Sequence, residues 1–352
     1  MVKLKSNGGV TMTIEELNKQ IKSGRVMPIY FFYGDEQYLL NRRVSDIEKK
    51  IITPGMEDFN RFVFEGDKTD IEAVIEAAEQ YPQMSDKKVV IVKNSGFFNQ
   101  MNLRNYKRIK EFSLDLPDYT CLIFIEDNFD KKKVKNVDFL NDIGGVVAFD
   151  FLPVNRLEIW IEEKAKNAEK QLFPKDLSYF VKICGPSLGK LSIEFEKLLN
   201  YVGDKIKITR EDIDAVVDKT AEYRIYDMID NVIAGKAETA RKQLKYLLEC
   251  RDSIAPTVII ASMTGKLVEI LTCKQLKETG MSAKDIGTYF DFNRPQFVVN
   301  RTIEESKRYS EKYLTEMIKK GLDYDFSIKT GKLDGIIAAE LFMTEILTTR
   351  KA

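Results

Sequence analysis

The sequence predicts an α/β domain built on a parallel sheet, followed by a segment that is entirely helical. Short apolar runs alternate with amphipathic helical patterns over about the first 150 residues, which is typical of a parallel sheet covered on both faces. From Pro153 onward no convincing strand pattern follows. A strand, a glycine turn and a helix at residues 28–51 form the segment around which the first domain is organised.

The composition is that of a globular protein without net charge. Of 352 residues, 44% are hydrophobic, and the 55 basic and 55 acidic side chains cancel. Contact with nucleic acid would therefore need a local basic patch. No apolar run approaches the roughly 20 residues that span a bilayer. Residues 1–10 are too polar for a signal peptide and are expected to be a loose leader.

Two residue types limit the chemistry open to this chain. It contains no histidine, which excludes Ser-His-Asp triads, Cys-His dyads and histidine-bound metals. The cysteines lie far apart and form no CxxC pair, which indicates a reduced, cytoplasmic protein without a structural zinc site. They are Cys121, Cys184, Cys250 and Cys273.

Local signals place the elements of the first domain. Thr13 and Glu16 have capping-box spacing and predict a helix that runs to about Lys22. Asp70 is expected to cap a helix that ends before Pro82. Further helices are predicted from Glu36 to Ile51 and over 103–112 and 131–140. The predicted strands are 29–33, 59–64, 88–92, 121–125 and 146–149.

The turn after the first strand stands where a P-loop ATPase carries its phosphate-binding motif. Here it reads Gly34-Asp35-Glu36-Gln37, with one glycine, no lysine and two carboxylates that would repel a triphosphate. Gly-Lys pairs at 189–190, 265–266 and 331–332 lack the spacing or the preceding strand of a P-loop, and accidental resemblance is the favoured interpretation. Glu126-Asp127 could handle Mg²⁺ beside a phosphate cradle. Without one, a solvated strand end is the favoured interpretation.

The second half of the chain is predicted to be helical throughout. One helix contains Leu157 and Ala165, another contains Leu188 and Leu199, and Thr209 is a plausible N-cap of a third. Together they predict a small helical domain of about 60 residues. A separate helical bundle follows from about residue 215. Its predicted helices are 225–233, 237–250, 256–276, 295–309, 311–321 and 333–347.

Two segments are candidate binding sites. At residues 80–88 a helix ends and leaves Tyr81, Pro82 and Met84 before the next strand; an adaptable Met beside an aromatic ring suits an apolar pocket on a partner. The alternative is an ordinary connection whose Met folds back on the core, and composition does not decide between them. Lys131, Lys132 and Lys133 could face a DNA backbone, although short lysine runs are usually solvated helix starts.

Six segments carry a resemblance to a known family. They are, in order, YFFYGDEQYLL at 30–40, FNRFVFEGDKTDIEAVIEAAEQYPQMSDKKVVIVKN at 59–94, VAFDFLPVNRLEIWIEEKAKNAEKQL at 147–172, ICGPSLGKLSIEFEKLLNYVGDKIKITREDIDAVV at 183–217, EYRIYDMIDNVIAGKAETARKQLKYLLE at 222–249 and DYDFSIKTGKLDGIIAAELFM at 323–343. The last of them, with Lys329-Thr330-Gly331 near the C-terminus, is particularly specific. By these segments the chain resembles, over nearly its whole length, the delta subunits of the bacterial DNA polymerase III clamp loader.

The resemblance implies an α/β plus all-α protein of three domains. These are an AAA+-like parallel-sheet domain without a P-loop at 1–150, which contacts the clamp, a small helical lid domain at 151–214, and a C-terminal helical collar domain at 215–352. It also implies a subunit without catalytic residues, metal or cofactor of its own. The implied partners are the beta sliding clamp, the delta-prime and gamma or tau subunits, and primed DNA within the complex, with no membrane.

In this family, apolar residues at the tip of the first domain insert into a pocket on the clamp and favour the open form of one clamp interface. The resemblance places that site at Tyr81, Pro82, Gln83 and Met84. Family members usually have two apolar residues immediately before Ser-Asp, whereas this chain has Gln83 and Met84. Met84, helped by Tyr81, is therefore the expected anchor. The alternative function is an autonomous AAA+-like ATPase or nucleotidyltransferase with a divergent nucleotide site.

Overall fold

The chain folds as two compact units, Met1–Val217 and Asp218–Ala352. A computed structural model describes residues 12–98, 103–249, 254–290 and 296–348. The predicted leader at 1–10 and Cys250 lie outside the described residues, as does Pro295 at the start of a predicted helix.

The first unit contains the predicted parallel sheet. Its five strands are β1 Ile29–Tyr33, β2 Arg61–Glu65, β3 Lys88–Lys93, β4 Thr120–Glu126 and β5 Gly145–Ala148. They lie in the order β2-β3-β4-β1-β5 and all pair in parallel. Strands β1, β3 and β4 are buried along nearly their whole length because the sheet is covered on both faces.

Helices cover the two faces of this sheet and form a separate core on each. One core contains Leu17 and Leu40 from the first two helices, and the other contains Val74 and Ile109 from the opposite face. The predicted capping box of Thr13 and Glu16 and the N-cap of Asp70 are confirmed. The helices are α1 Ile14–Ser23, α2 Gln37–Ile51, α3 Glu57–Asn60, α4 Ile71–Glu79 and α5 Leu103–Ser113, with a 3₁₀ segment, η1, at Lys131–Asp142.

The helix predicted over 131–140 is a 3₁₀ helix rather than an α-helix. Its buried side chains, Val134, Val137 and Leu140, recur every third residue. A 3₁₀ helix has three residues per turn and therefore places all three on one face. The predicted helix is therefore present, with the shorter period of the 3₁₀ form.

The remainder of the first unit is mainly helical, but the expectation of no strand after Pro153 is wrong. Two strands of two residues each pair in parallel, and Leu172 lies opposite Ile208. Strands this short contain no alternation that a sequence pattern could reveal. The predicted N-cap at Thr209 is confirmed and forms a capping box with Asp212. The elements are α6 Val154–Asn167, β6 Gln171–Leu172, α7 Pro174–Cys184, α8 Leu188–Val202, β7 Lys207–Ile208 and α9 Arg210–Val216.

The second unit is a helical bundle around one long helix. Each of the six predicted helices has a counterpart, although the one predicted over 295–309 ends at Ser306 and the one predicted from 333 begins at Gly335; Ala283–Phe290 is an additional short helix. Gly321, expected near a helix end, lies inside a longer one: a Cβ there would lie 2.2 Å from Thr264 Oγ1, so glycine permits two helices to approach closely. The helices are α10 Ala221–Ala234, α11 Ala237–Glu249, α12 Pro256–Glu278, α13 Ala283–Phe290, α14 Gln296–Ser306, α15 Glu311–Lys329 and α16 Gly335–Thr348.

Helix α12 corrects the expectation that no apolar run approaches membrane-spanning length. Among the described residues it is the one helix long and apolar enough, by length and composition, to cross a bilayer. Buried core helices have the same composition, and α12 contributes Ile260, Met263 and Leu267 to the main core of the second unit. Its length and composition are therefore weak evidence for a membrane span.

Candidate functional site

The turn after β1 lies at the carboxyl edge of the parallel sheet, where open α/β sheets bind ligands. Here the turn packs directly against the backbone that follows β5. A Cβ on Gly34 would lie 2.4 Å from the carbonyl oxygen of Phe149, and the Glu36 amide donates to that same oxygen over 2.9 Å. Backbone of this chain therefore occupies one side of the turn.

The carboxylate of Glu36 is fully buried and serves two helix N-termini. It accepts a hydrogen bond from the Tyr38 amide in the first turn of α2 (3.2 Å) and another from the Leu188 amide at the start of α8 (2.9 Å). A helix N-terminus favours an anion because its first amides have no partner within the helix. Glu36 thus supplies an internal anion and joins the sheet to the following helical segment.

Glu126 and Asp127, at the end of β4, bind the loop after β3. One oxygen of Glu126 accepts from the Gly96 amide (3.0 Å), and Asp127 accepts from the Asn94 side chain (2.8 Å). Burial raises the pKa of Glu126. The interpretation of this pair as a solvated strand end is therefore wrong, because both carboxylates are half-buried and hold a loop.

The described residues include no cluster of three or more cysteine, aspartate or glutamate side chains that could hold a metal ion. Cys121, Cys184 and Cys273 are buried free thiols. The Gly-Lys pair at 265–266 lies inside α12, as predicted, and Lys266 forms an ion pair with Glu305 at 3.0 Å. Lys266 is thus part of a structural ion pair.

Residues 80–84, which we call the tip, follow the last turn of α4. The side chains of Tyr81 and Met84 are 80% and 83% exposed, and the ring of Tyr81 lies against that of Tyr119 with centroids 4.9 Å apart. The alternative in which Met84 folds back on the core is wrong. Met84 also has a φ of +52°, a left-handed conformation that side chains other than glycine rarely adopt.

Two polar residues beside the tip, Asn60 and Lys88, and one at the opposite edge of the sheet, Glu36, were not identified as site residues from the sequence. All three are fully buried, although Asn, Lys and Glu are usually exposed. Sequence patterns place such residues at the surface by default. The signal that could have suggested otherwise for Lys88 is its position at the start of an apolar strand that is buried on both faces.

The basic cluster begins η1, and part of its charge is neutralised. Lys131 forms an ion pair with Asp150 at 2.7 Å, while Lys132 is exposed and Lys133 is half-buried. Contact of this cluster with DNA stays a prediction.

Five exposed apolar side chains lie on the last two helices of the second unit. Ile336, Ile337 and Leu341 of α16 are each 45–50% exposed, and Leu322 and Phe326 of α15 are about 60% exposed. Phe342, which follows Leu341 on α16, lies in the core of the unit and is fully buried. The patch is defined here as the five exposed side chains.

Comparison with known proteins gives consistent matches to one family. A family model described as DNA polymerase III, delta subunit, matches residues 30–149, and one described as its C-terminal domain matches residues 222–346. The chain is 26% identical over 336 residues to DNA polymerase III subunit delta of Bacillus subtilis, covering 94% of this chain and 95% of that protein. It is 23% identical over 262 residues to a probable DNA polymerase III subunit delta of Aquifex aeolicus, covering 72% of each.

A solved structure gives the same assignment. The Bacillus subtilis DNA clamp loader delta protein superposes with a TM-score of 0.55 at 25% sequence identity, over 95% of this chain and 99% of that one. The two family models together match more than half of the chain. This chain therefore belongs to the family of delta subunits of the bacterial DNA polymerase III clamp loader.

Proposed function

We propose that this chain is the clamp-contacting subunit of its clamp loader. In this proposal the tip, with Met84 as anchor and Tyr81 beside it, binds an apolar pocket on the beta sliding clamp and favours the open form of one clamp interface. The observation that carries the proposal is the 83% exposed Met84 side chain on a backbone held at a positive φ. An exposed apolar side chain in a constrained conformation is suited to a partner's pocket.

We further propose that the chain itself neither binds nor hydrolyses ATP. Gly34 packs too closely on Phe149 for a phosphate-binding loop to form on that side of the turn. The carboxylate of Glu36 already occupies the N-terminus of α8, where a phosphate could otherwise bind. A P-loop would need a lysine to hold the phosphates, and the turn has none. These observations disfavour the alternative of an autonomous ATPase or nucleotidyltransferase.

The remaining parts of the chain have proposed roles in assembly. We assign clamp contact to residues 1–150, a lid to 151–214 and a collar to 215–352, with the collar packing against delta-prime and gamma or tau subunits. The five-residue apolar patch on α15 and α16 supports this role, because exposed apolar side chains in a cluster are typical of interfaces. The complex would act on primed DNA in the cytoplasm.

Titration of the full chain with the cognate sliding clamp, followed by calorimetry, tests the first proposal. We expect saturable binding that does not require ATP. A parallel titration with ATP and Mg²⁺ tests the second, and micromolar ATP affinity would support the autonomous ATPase instead. Absence of clamp binding by the full chain would refute the assignment of the tip.

A further inference from the structure

Three side chains donate hydrogen bonds to the end of α4, from which the tip projects. The last carbonyls of an α-helix have no partner within the helix. At this helix end, Thr120 Oγ1 donates to one such carbonyl and the Tyr119 hydroxyl to another, each over 2.7 Å. The Lys88 ammonium donates to two more. Thr120 binds the carbonyl of Ala78, Tyr119 that of Glu79, and Lys88 those of Ala77 and Gln80.

Lys88 is a fully buried cation that these carbonyls satisfy. Its Nζ lies 5.6 Å from the ring centroid of Phe62 and 5.8 Å from that of Tyr119. Among the described residues no carboxylate forms an ion pair with it, and burial lowers its pKa to about 8. The negative end of the α4 dipole and two carbonyl oxygens therefore take the place of a counter-ion.

Asn60 fixes the other side of the tip. Its amide nitrogen donates to the carbonyl of Gln83 (2.7 Å), and its amide oxygen accepts from the N–H of the same residue (2.8 Å). Both backbone groups of Gln83 are thus paired with one buried side chain, immediately before Met84. The nitrogen of Asn60 also donates to the Met56 carbonyl over 2.9 Å, which holds the amide in its orientation.

We propose that Lys88 and Asn60 are positioning residues for clamp binding, which hold residues 80–84 in the binding conformation before the clamp arrives. The inference rests on the proposed contact between the tip and the clamp. Neither side chain reaches the surface, so each acts only through the backbone that presents Tyr81 and Met84. Because an ordered tip avoids the entropy loss of ordering a loop on binding, freeing it should weaken clamp affinity by about ten- to a hundredfold.

The test compares clamp affinity and amide hydrogen exchange in full-length variants. Lys88→Met removes the donors to α4. Asn60→Asp keeps an acceptor for the Gln83 amide, loses the donor to the Gln83 carbonyl and places a buried carboxylate against that carbonyl oxygen. We expect both variants to bind the clamp more weakly and to exchange the tip amides faster in the free protein, with the amides of β4 unchanged. Lys88→Arg should restore most of the affinity, and Lys93→Met, at the other end of β3, serves as a matched control.

A double-mutant cycle separates positioning from general stability. If Asn60 acts by presenting Met84, Asn60→Asp should weaken binding much less in a Met84→Ala background than in the parent chain. If the losses of binding free energy from Asn60→Asp and Met84→Ala are additive, the inference is overturned. It is also overturned if the parent chain binds the clamp and both Lys88→Met and Asn60→Asp bind it equally well. A parent chain that does not bind the clamp at all would overturn the proposed function as well, so the two failures are distinguishable.

Discussion

Truncation of Met84 to alanine should weaken clamp binding and leave the fold unaffected. The side chain is 83% exposed in the free protein, so the apolar area it buries on folding is small. Full burial of a methionine side chain in a partner's pocket stabilises a complex by about 1.5–3 kcal/mol. Since each 1.4 kcal/mol is about a tenfold change in affinity, Met84→Ala should raise Kd by roughly ten- to a hundredfold.

The Tm of Met84→Ala should lie within about a degree of that of the parent, because alanine leaves the left-handed backbone conformation at this position unchanged. Met84→Gly adds a second comparison: it also removes the side chain but relieves a conformational cost of about 1–2 kcal/mol, so it should be at least as stable as Met84→Ala. Both should bind the clamp weakly.

Two measurements on the same preparations decide the outcome. Calorimetric titration with the clamp gives Kd, and differential scanning calorimetry gives Tm. Ile193→Ala is a suitable control, because Ile193 is 60% exposed on α8, away from the tip in sequence and in a different element. Unchanged clamp affinity for Met84→Ala, or a clearly lowered Tm, would refute the reasoning.

Four further predictions concern other parts of the chain. Glu36→Ala should lower the free energy of unfolding by about 1–3 kcal/mol, because the Leu188 amide loses a buried acceptor; a urea midpoint equal to that of the exposed control Glu57→Ala would contradict this. Phe326→Asp combined with Ile337→Asp should prevent co-purification with the other loader subunits while clamp affinity is retained. Entry of this variant into the complete loader would argue against the patch as an assembly surface. Burial lowers the pKa of Lys88 from 10.5 to about 8, so the unfolded chain binds more protons than the folded chain between these values. The free energy of unfolding of the parent should therefore rise relative to that of Lys88→Met as pH rises from 8 to 10.5. If urea unfolding gives the same difference between the two proteins at pH 7 and at pH 9.5, that result would speak against a buried ammonium. Lys132→Gln with Lys133→Gln should reduce the salt dependence of DNA binding by the assembled loader by about one to two in log–log slope, whereas an unchanged slope would exclude the cluster from phosphate contact.

Local signals in the sequence predicted most of the fold because they act over a few residues. The caps at Thr13 and Asp70 are such signals, and the structure confirms both. The pairing of β6 with β7 was missed because two residues carry no periodicity, and Gly321 was misread as a helix end because its role depends on a helix distant in sequence. Long-range packing decided these elements.

For the candidate site, too, the sequence indicated some features, and others appeared only in the structure. The helix end and Pro82 are visible in the sequence and made residues 80–84 a candidate, but the exposure of Tyr81 and Met84 was decided by the structure. The carboxylate of Glu36, by contrast, finds its partner 152 residues away. Buried polar side chains are defined by the groups that satisfy them, and for Glu36 that group belongs to a helix remote in the chain. Sequence reasoning could therefore name the tip as a candidate site, whereas the partners of the buried polar groups appear only in the structure.

The conformation of Met84 bears on why a partner should be invoked at all. For folding alone, a position with φ of +52° is best filled by glycine, or by asparagine, which tolerates the left-handed region. A methionine there adds a conformational cost, and with 83% of its side chain exposed it gains little from the protein's own core in return. The surrounding hydrogen bonds from Asn60 reach the backbone of Gln83 and leave the methionine side chain uncommitted. The fold carries this cost in the free protein, and an apolar pocket on a bound protein would supply offsetting free energy that a methionine side chain can use.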